Sequence, residues 1–246
     1  MPTVDADAHV IESMETWALV ADEAPDLMPM LTRRTAGQEI HNVENRLQEE
    51  FWVINGRVHN RDRNVGSNTS EESREMRGVT ARLKHMDDLE VDVQVLFPTL
   101  LLRPIADNAR LDHILCRSYN RWLANIWKMG DGRLRWAVVP PLLAPEKLRE
   151  ELEFGKENGA CAVFMRPLEC ERPLSDEHFY PLYEIAQELD LAICPHLGNG
   201  SFSVHDFYNK DTTFTKFKLP MIGAVHSILM AGIPEKFPRL RWGIIE

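Results

Sequence analysis

The stretch LRWAVVPPLLAPEKLREELEFGKENGACAVFMR, residues 134–166, predicts the fold of this chain. It opens with an apolar run at 134–139 that stops at two prolines, continues with a polar-rich segment of helical period at 145–157, and returns to an apolar run at 160–165. Strands joined through a helix are typical of parallel pairing, because a parallel connection must cross the sheet. The stretch therefore predicts a strand–helix–strand unit with both strands in one buried parallel sheet.

The same alternation extends in both directions along the chain. Apolar runs predict four further strands at 4–10, 91–97, 191–194 and 240–245, and helical periodicity predicts helices at 111–128, 179–189 and 221–230. Two α/β architectures are consistent with this order, an open doubly wound sheet and a (β/α)8 TIM barrel. Neither G-x-G-x-x-G nor G-x-x-x-x-G-K-[ST] follows a strand, and polar residues follow the strands instead, which favours the barrel.

Six strands are two fewer than a complete barrel requires. The sequence stops directly after the sixth, so we expect one domain over residues 1–246, a barrel truncated after strand six. An insertion at about 15–85 separates the first two strands. Within it, FWVINGRV at 51–58 places Asn-Gly between two apolar runs and predicts a β-hairpin, whereas the charged, serine-containing stretch 61–77 predicts a mobile loop.

Composition excludes several classes of protein. The net charge of −10 argues against a nucleic-acid-binding protein, which normally carries a basic surface. The apolar runs fall short of the roughly 20 residues of a membrane span, and no secretory signal precedes the first strand. The four cysteines lack the C-x-x-C spacing of zinc sites and are interpreted as reduced thiols. We therefore expect a cytoplasmic protein that binds neither nucleic acid nor membranes.

The segment DADAH at 5–9 is the strongest local motif. Alternate residues of a strand share a face, so Asp5, Asp7 and His9 are expected to point the same way, with Asp7 and His9 nearest the strand end. A carboxylate oxygen beside an imidazole nitrogen suits Zn²⁺, Mn²⁺ or Fe²⁺. The alternative is an exposed acidic N-terminus. Glu12 is a candidate for orienting a ligand, with a helix N-terminal charge as the alternative.

Two further candidates follow the later strands. His196 comes directly after the fifth strand and Glu246 directly after the sixth. The carboxyl ends of barrel strands meet at one face, so Asp7, His9, His196 and Glu246 are expected to form one site. A carboxylate that closes an apolar run is costly to bury unless it is paired or bound to a metal. The alternatives are a hydrogen-bonded structural role for His196 and simple solvent exposure for Glu246.

Supporting positions have equally open interpretations. Arg166 follows the fourth strand and is a candidate for bidentate binding of a substrate carboxylate, with a surface ion pair as the alternative. His205 and Asp206, in the segment after the fifth strand, are candidates for reaching the same cleft.

Several long segments together carry a resemblance to a known family. They are VDADAHVIES at 4–13, MDDLEVDVQVLFPTL at 86–100, SYNRWLANIW at 118–127, RLRWAVVPPL at 133–142, HFYPLYEIAQELDLAICPHLG at 178–198 and IPEKFPRLRWGIIE at 233–246. With these segments the chain resembles the amidohydrolase-related family of metal-dependent barrels, which includes the aminocarboxymuconate-semialdehyde and resorcylate decarboxylases. The resemblance covers most of the chain, in the right order.

The resemblance implies roles by position. Asp7 and His9 match the family's strand-one metal pair, His196 matches its strand-five metal histidine, and Glu246 stands at a strand-six catalytic or ligand position that is often histidine. The family's last metal ligand is an aspartate after strand eight, for which this sequence has no counterpart. Either the chain is a fragment of a longer one, or a partner chain supplies the missing units.

The expected function follows from this resemblance. It implies a divalent metal, zinc with manganese or iron as alternatives, held by Asp7, His9 and His196, with Glu246 and Arg166 as catalytic residues. The reaction would be hydrolysis or non-oxidative decarboxylation of a small carbonyl- or carboxylate-bearing substrate, aromatic acids included. The alternative is a catalytically weak scaffold subunit that needs a separate C-terminal chain, because an open barrel exposes an apolar edge. We expect a homo-oligomer or a complex with such a partner chain.

Overall fold

The main sheet of the structure consists of parallel strands that pair in the order in which they occur along the chain. The computed structural model describes residues 1–34, 49–61, 69–208 and 214–246. Its strands are, in chain order, β1 Val4–His9, β2 Met30–Arg33, β3 Glu50–Ile54, β4 Arg57–Asn60, β5 Val93–Phe97, β6 Leu134–Val138, β7 Ala160–Met165, β8 Leu168–Glu169, β9 Arg172–Pro173 and β10 Ala192–Pro195. The main sheet has the order β1-β5-β6-β7-β10, and all its pairs are parallel.

This strand order distinguishes between the two predicted architectures. A doubly wound sheet reverses its strand order at a switch point, whereas here each strand pairs with the next main-sheet strand along the chain. The predicted fold class, a truncated (β/α)8 barrel, is confirmed. After β1, the strands β5, β6, β7 and β10 follow one another as consecutive barrel units.

Helices connect the strands of the chain, and four of them lie where the periodicity predicted helices, at 111–128, 145–157, 179–189 and 221–230. The helices are α1 Ala18–Glu23, α2 Glu71–Arg74, α3 Val79–Asp88, α4 Ala109–Met129, α5 Leu148–Glu157, α6 Tyr180–Glu188, α7 Phe202–Phe207, α8 Leu219–Met230 and α9 Ile233–Lys236. The longest, α4, is capped at its N-terminus by Asn108, whose side chain accepts a hydrogen bond from the Leu111 amide at 3.0 Å. Its buried face includes Leu115 and Leu123, which pack in the core. Across the described ranges, no helix combines the length and apolar character needed to cross a bilayer.

The predicted sixth strand forms only in part. The segment after α9 runs parallel to β10 through two isolated bridges, Ile193 with Trp242 and His196 with Ile245. Backbone hydrogen bonds support both, including Gly243 N to Ile193 O at 2.9 Å and Ile245 N to Pro195 O at 2.9 Å. The prediction of a continuous strand over 240–245 is therefore wrong, although the segment occupies the sixth strand's place beside β10.

The insertion between β1 and β5 contains the predicted hairpin. β2, β3 and β4 form an antiparallel sheet, and Asn55 and Gly56 connect β3 to β4 with φ values of 48° and 75°. Positive φ at both central positions is the type I′ geometry that Asn-Gly favours, so the hairpin is confirmed. Trp52 on β3 packs edge-to-face against Trp17, with ring centroids 6.2 Å apart, which joins this sheet to the core.

A mobile loop was predicted at 61–77. Residues 62–68 lie outside the described residues, and for the described remainder the prediction is wrong. Residues 71–74 form α2, and Glu75 is fully buried. Glu75 accepts from Arg61 at 2.7 Å and pairs with Arg77 at 2.6 Å. The charge of the segment predicted exposure to solvent. The Glu75 carboxylate can nevertheless be buried, because the Arg61 and Arg77 guanidinium groups compensate its charge. The following helix α3 was not predicted from the sequence.

Replacement of Gly56 by alanine is expected to lower the free energy of unfolding by about 1 kcal/mol, since alanine disfavours positive φ. Gly223→Ala in α8 is a matched control of opposite sign. Nothing lies within 4 Å of a Cβ built there, and alanine should raise stability by about 0.5–1 kcal/mol because it favours helix. Urea unfolding of both variants is the measurement. Equal effects of the two changes would contradict the turn assignment.

Candidate metal centre

Strands at opposite ends of the sheet order supply the candidate ligands. Asp7 and His9 lie on β1, and His196 directly follows β10. Four strand spacings separate β1 from β10, about 19 Å in a flat sheet. Nevertheless, the His196 Nε2 atom lies 3.0 Å from Asp7 Oδ1. The main sheet must therefore curl strongly, as a barrel wall does, and this curvature creates the site.

The three side chains converge on a common point. His9 Nε2 lies 3.7 Å from Asp7 Oδ1, and the two imidazole rings meet edge-to-face with centroids 5.0 Å apart. One potential ligand atom from each residue lies within 4.8 Å of the other two. Two ligands of one ion, each about 2.1 Å from it, can be at most about 4.2 Å apart. A shift of less than about 1 Å would therefore allow the three atoms to share an ion.

The outer nitrogen of each imidazole is held by a carbonyl. His9 Nδ1 lies 3.0 Å from the Pro98 oxygen, and His196 Nδ1 lies 3.0 Å from the Leu197 oxygen. A carbonyl only accepts, so each Nδ1 donates and the proton resides there in the neutral ring. For His9 this leaves the Nε2 lone pair facing the cluster, which is the arrangement found in metal-binding histidines. His196 Nε2 lies 3.0 Å from Asp7 Oδ1, a carboxylate oxygen that also only accepts, so this nitrogen offers its lone pair where an ion takes the place of that hydrogen bond.

Charge and exposure also fit a divalent cation. Burial, and then the neighbouring His196, lower the pKa of His9 to about 4, so its imidazole is neutral at pH 7. His9 and His196 are buried, whereas the Asp7 side chain is 39% exposed. One carboxylate and two imidazoles are a donor set that zinc, manganese and iron accept. The exposed side of Asp7 leaves a path from solvent to the site.

Asp5 does not join this cluster. The pairing of β1 with β5 shifts register between Asp5 and Ala8, and Asp5 Oδ2 instead accepts from Gln94 Nε2 at 2.9 Å. The register shift interrupts the regular alternation on which the shared face of Asp5, Asp7 and His9 was predicted, and Asp5 lies outside the ligand cluster of the other two. Arg82 of α3 donates to Gln94 at 2.7 Å and to the His9 carbonyl at 3.1 Å, which fixes the backbone of β1.

Glu12 holds the segment after β5 against the end of β1. Its carboxylate accepts from the backbone amides of Thr99 at 3.0 Å and Leu100 at 2.9 Å. Thr99 Oγ1 in turn lies 3.4 Å from His9 Nδ1. Burial raises the pKa of Glu12 to about 7, and the two amide hydrogen bonds oppose this increase. The residue thus supports the backbone beside His9, at the point where the 3-10 helix Leu100–Leu102 begins.

The raised pKa of Glu12 predicts a pH-dependent stability. Because the folded state binds the proton more tightly, unfolding releases it between about pH 4.5 and 7, and stability falls as pH rises through that window. Glu12→Gln removes this titration. The unfolding free energy of the variant relative to wild type should therefore rise by about 2–3 kcal/mol from pH 5 to pH 8. Urea titrations at both pH values measure it, with exposed Glu15→Gln as a control; a constant difference for Glu12→Gln would contradict it.

The Arg166 side chain is engaged within the protein. Its Nε and Nη2 atoms donate to the two oxygens of Glu169 at 2.8 Å and 2.6 Å, and Nη1 donates to the carbonyls of Leu101 and Arg103 at 3.1 Å and 2.7 Å. This places an ion pair, the alternative considered for Arg166, in a buried position rather than on the surface. Binding of a substrate carboxylate, which stays a prediction, would use the remaining N–H of Nη2 or displace Glu169.

The remaining predicted residues lie at the same end of the sheet. Ile245 bridges His196, so the exposed Glu246 follows directly at that edge, although it is not part of the three-residue ligand cluster. His205 and Asp206 lie on α7, with His205 Nδ1 3.4 Å from Asp206 Oδ1. The catalytic role of Glu246 therefore stays a prediction.

A cavity of about 200 Å³ lies beside the ligand cluster and does not include it. Its walls include Arg166, Glu169, Asp112 and Phe164. Phe164 also contacts His196, with ring centroids 6.1 Å apart, and so connects a wall of the cavity to one of the candidate ligands. Sequence reasoning missed Glu169 and Asp112; the three-residue spacing of Arg166 and Glu169 was the available signal for the first.

The comparisons with known proteins agree with this geometry. The family model described as Amidohydrolase matches residues 4–246, so the chain belongs to the amidohydrolase family, which is a family of enzymes. A search of curated proteins finds no match.

Solved structures with the same fold include three informative relatives. An amidohydrolase from Mycobacterium avium subsp. paratuberculosis is 18% identical with a TM-score of 0.72, over 100% of this chain and 72% of that one. A 2,6-dihydroxybenzoate decarboxylase is 15% identical, TM-score 0.59, over 99% and 66%. A 5-carboxyvanillate decarboxylase from Novosphingobium aromaticivorans, solved with manganese and a nitrobenzoic acid, is 22% identical, TM-score 0.56, over 66% and 47%. The chain thus spans about half to three quarters of these proteins.

Proposed function

We propose that the chain carries the metal site of a hydrolase or carboxy-lyase that acts on a small carbonyl- or carboxylate-bearing substrate, with decarboxylation of an aromatic acid as the favoured reaction. The observation that carries the proposal is the convergence of Asp7, His9 and His196 from opposite ends of the sheet order. Two relatives of the same fold are decarboxylases of aromatic acids, which supports the favoured reaction.

The residues of the chain have distinct roles in this proposal. When bound, a divalent cation would polarise a substrate oxygen or lower the pKa of a water molecule. Asp7 contributes the negative charge, and the carbonyl-anchored imidazoles of His9 and His196 contribute nitrogen ligands. Glu246, which follows Ile245 at the rim, is proposed to move a proton, and Arg166 to hold a substrate carboxylate. The donor set suits zinc, and the manganese of one relative makes Mn²⁺ the first alternative.

The test is an assay of protein loaded with Zn²⁺ or with Mn²⁺. We expect release of CO₂ from 2,6-dihydroxybenzoate or 5-carboxyvanillate, loss of activity with a chelator, and recovery on addition of the metal. Ester and lactone substrates assayed in parallel measure the hydrolytic alternative. A preparation that binds no metal and is inactive on every substrate would overturn the proposal and support the scaffold subunit.

The proposal includes a cytoplasmic location and self-association. All four cysteines fall within the described ranges and are free thiols, as a reducing compartment favours.

The helix α8 exposes Ile222, Leu229 and Met230, and exposed apolar patches commonly mark contact surfaces. Light scattering at micromolar concentration should show a homo-oligomer, or a complex when a chain carrying the C-terminal barrel segments is added. A strict monomer under both conditions would contradict this part.

A further inference from the structure

The cavity beside the metal centre is lined by segments that follow four consecutive strands of the main sheet. Each segment contributes at least one lining residue: Leu101 after β5, Val139 directly after β6, Arg166 directly after β7, and Gly200 after β10. The carboxyl ends of the strands are where barrel enzymes bind their substrates. The cavity therefore occupies the place of a substrate pocket.

The segment after β10 joins the cavity wall to the candidate metal ligand His196. Gly200 lies four residues after His196, and its amide donates to the Leu168 carbonyl at 2.9 Å. A Cβ atom at Gly200 would lie 2.4 Å from Glu169 Oε2, so a side chain at this position would displace the ion pair of Glu169 from the wall. Glycine thus allows one continuous segment to carry the ligand and to close the cavity.

The size and the lining of the cavity fit one aromatic ring. Its volume is about 200 Å³, and an apolar cavity of about 150 Å³ is enough to bind benzene. The space therefore holds one ring with a small substituent. The apolar part of the lining includes Leu101, Ile105, Val139, Leu142 and Phe164.

Asp112 of α4 supplies the lining with an available hydrogen-bond acceptor. Its Oδ2 atom accepts from the Leu143 amide at 2.8 Å, whereas Oδ1 has only the Cys116 thiol as a donor among the described residues, with Sγ at 3.8 Å. The same thiol lies 3.6 Å from the Pro140 carbonyl, and its single proton cannot serve both acceptors. Oδ1 therefore retains the capacity to accept from a ligand.

Its partners distinguish Asp112 from the other carboxylates of the lining. Burial raises the pKa of Asp112 to about 6, while the Leu143 amide and the charge of Arg166 oppose the increase, so the group is mostly ionised at pH 7. An ionised carboxylate is a strong acceptor. The other three already accept from neighbouring side chains: Glu169 from Arg166, Glu171 from Ser201, and Asp107 from Asn55 and Asn108.

We propose that the cavity holds the aromatic ring of the substrate, and that Asp112 selects rings whose hydroxyl group donates a hydrogen bond to Oδ1. A site that accepts from a hydroxyl group discriminates strongly against an analogue without one, because its buried acceptor is then left unpaired. The remaining N–H of Arg166 Nη2 is open to a carboxylate on the same ring. The inference rests on the proposed function, because it takes the occupant of the cavity to be the substrate of the metal centre.

The experiment compares 4-fluorophenol with 4-fluoroanisole, which cannot donate, by ¹⁹F NMR titration of the full chain. Wild-type protein should bind the phenol at least tenfold more tightly, the effect of one hydrogen bond to a charged acceptor. In Asp112→Asn the side-chain oxygen can still accept from Leu143, but an NH₂ group that only donates replaces Oδ1, and the ratio of the two affinities should fall to near one. Asp107→Asn makes the same change at a carboxylate of the lining that is exposed and already has partners, and it should leave the ratio unchanged.

Equal affinities of wild-type protein for the two probes, or no binding of either, would overturn the inference. An unchanged ratio in Asp112→Asn would overturn it as well. If circular dichroism shows that Asp112→Asn does not fold, Asp112→Ala, which favours helix in α4, decides the question by the same ratio.

The titrations are repeated with Zn²⁺, with Mn²⁺ and without metal, which separates this inference from the proposed function. Mn²⁺ is paramagnetic and should broaden the fluorine line of bound 4-fluorophenol more than Zn²⁺ does. Equal line widths in protein that holds either ion would place the ring away from the metal centre and overturn its assignment to the substrate. Protein that binds neither ion would instead overturn the proposed function, and its preference for 4-fluorophenol should then still depend on Asp112.

Discussion

Replacement of His196 by alanine is expected to weaken binding of Zn²⁺ or Mn²⁺ by more than about 100-fold, because losing even an outer-sphere partner of a ligand costs about 10–100-fold. Asp7→Ala should have an effect of similar size. The Asp7 oxygen lies within 3.0 Å of one imidazole and 3.7 Å of the other, and it carries the cluster's negative charge. Equilibrium dialysis followed by elemental analysis measures both stoichiometry and affinity.

The matched control for this prediction is His226→Ala, which removes an exposed histidine from α8 outside the ligand cluster. It should bind metal as wild type does. His196 is fully buried, so circular dichroism and thermal unfolding must show that the His196→Ala variant folds. Variants of Asp7 and His196 that fold and retain wild-type affinity would remove the basis of the candidate metal centre.

Replacement of Glu169 by glutamine is expected to lower the free energy of unfolding by about 3–5 kcal/mol. The change leaves the Arg166 guanidinium buried without its counter-charge, and breaking one side of a buried pair has this cost. The side chains of Arg166 and Glu169 are 15% and 2% exposed, and Glu169 Oε1 also accepts from the Arg166 amide at 2.7 Å. Urea unfolding at pH 7 is the measurement.

Two further variants test whether the loss of stability comes from the burial of the Arg166–Glu169 pair. Glu188→Gln breaks the pair of Glu188 with Arg149, whose N–O distance is 2.9 Å but whose side chains are both about half exposed, and it should change stability by less than about 0.5–1 kcal/mol. The double variant Arg166→Met, Glu169→Leu should lose less stability than the sum of the single changes. A Glu169→Gln variant as stable as Glu188→Gln would show that the buried pair does not hold the segment after β7.

Local patterns account for much of what could be predicted. The apolar face of α4 and the Asn55-Gly56 turn depend on residues a few positions apart, and the structure contains both. The structure of the sixth segment and of α3 depends on the surfaces that the rest of the chain presents to them. The prediction of a full sixth strand was wrong, and α3 was not predicted.

The sequence by itself determined the class of the fold, because period-two and period-3.6 patterns alternate in one order, and it determined the residue types that follow each strand. Only the tertiary structure decided that Asp7 meets His196 while Asp5 pairs with Gln94, since curvature and an irregularity in β1 set these contacts. It also decided that Arg166 faces Glu169 and that Arg57 pairs with Asp206 of α7. The contact between Asp7 and His196, which are 189 positions apart, arises from the curvature of the sheet, which local periodicity does not encode.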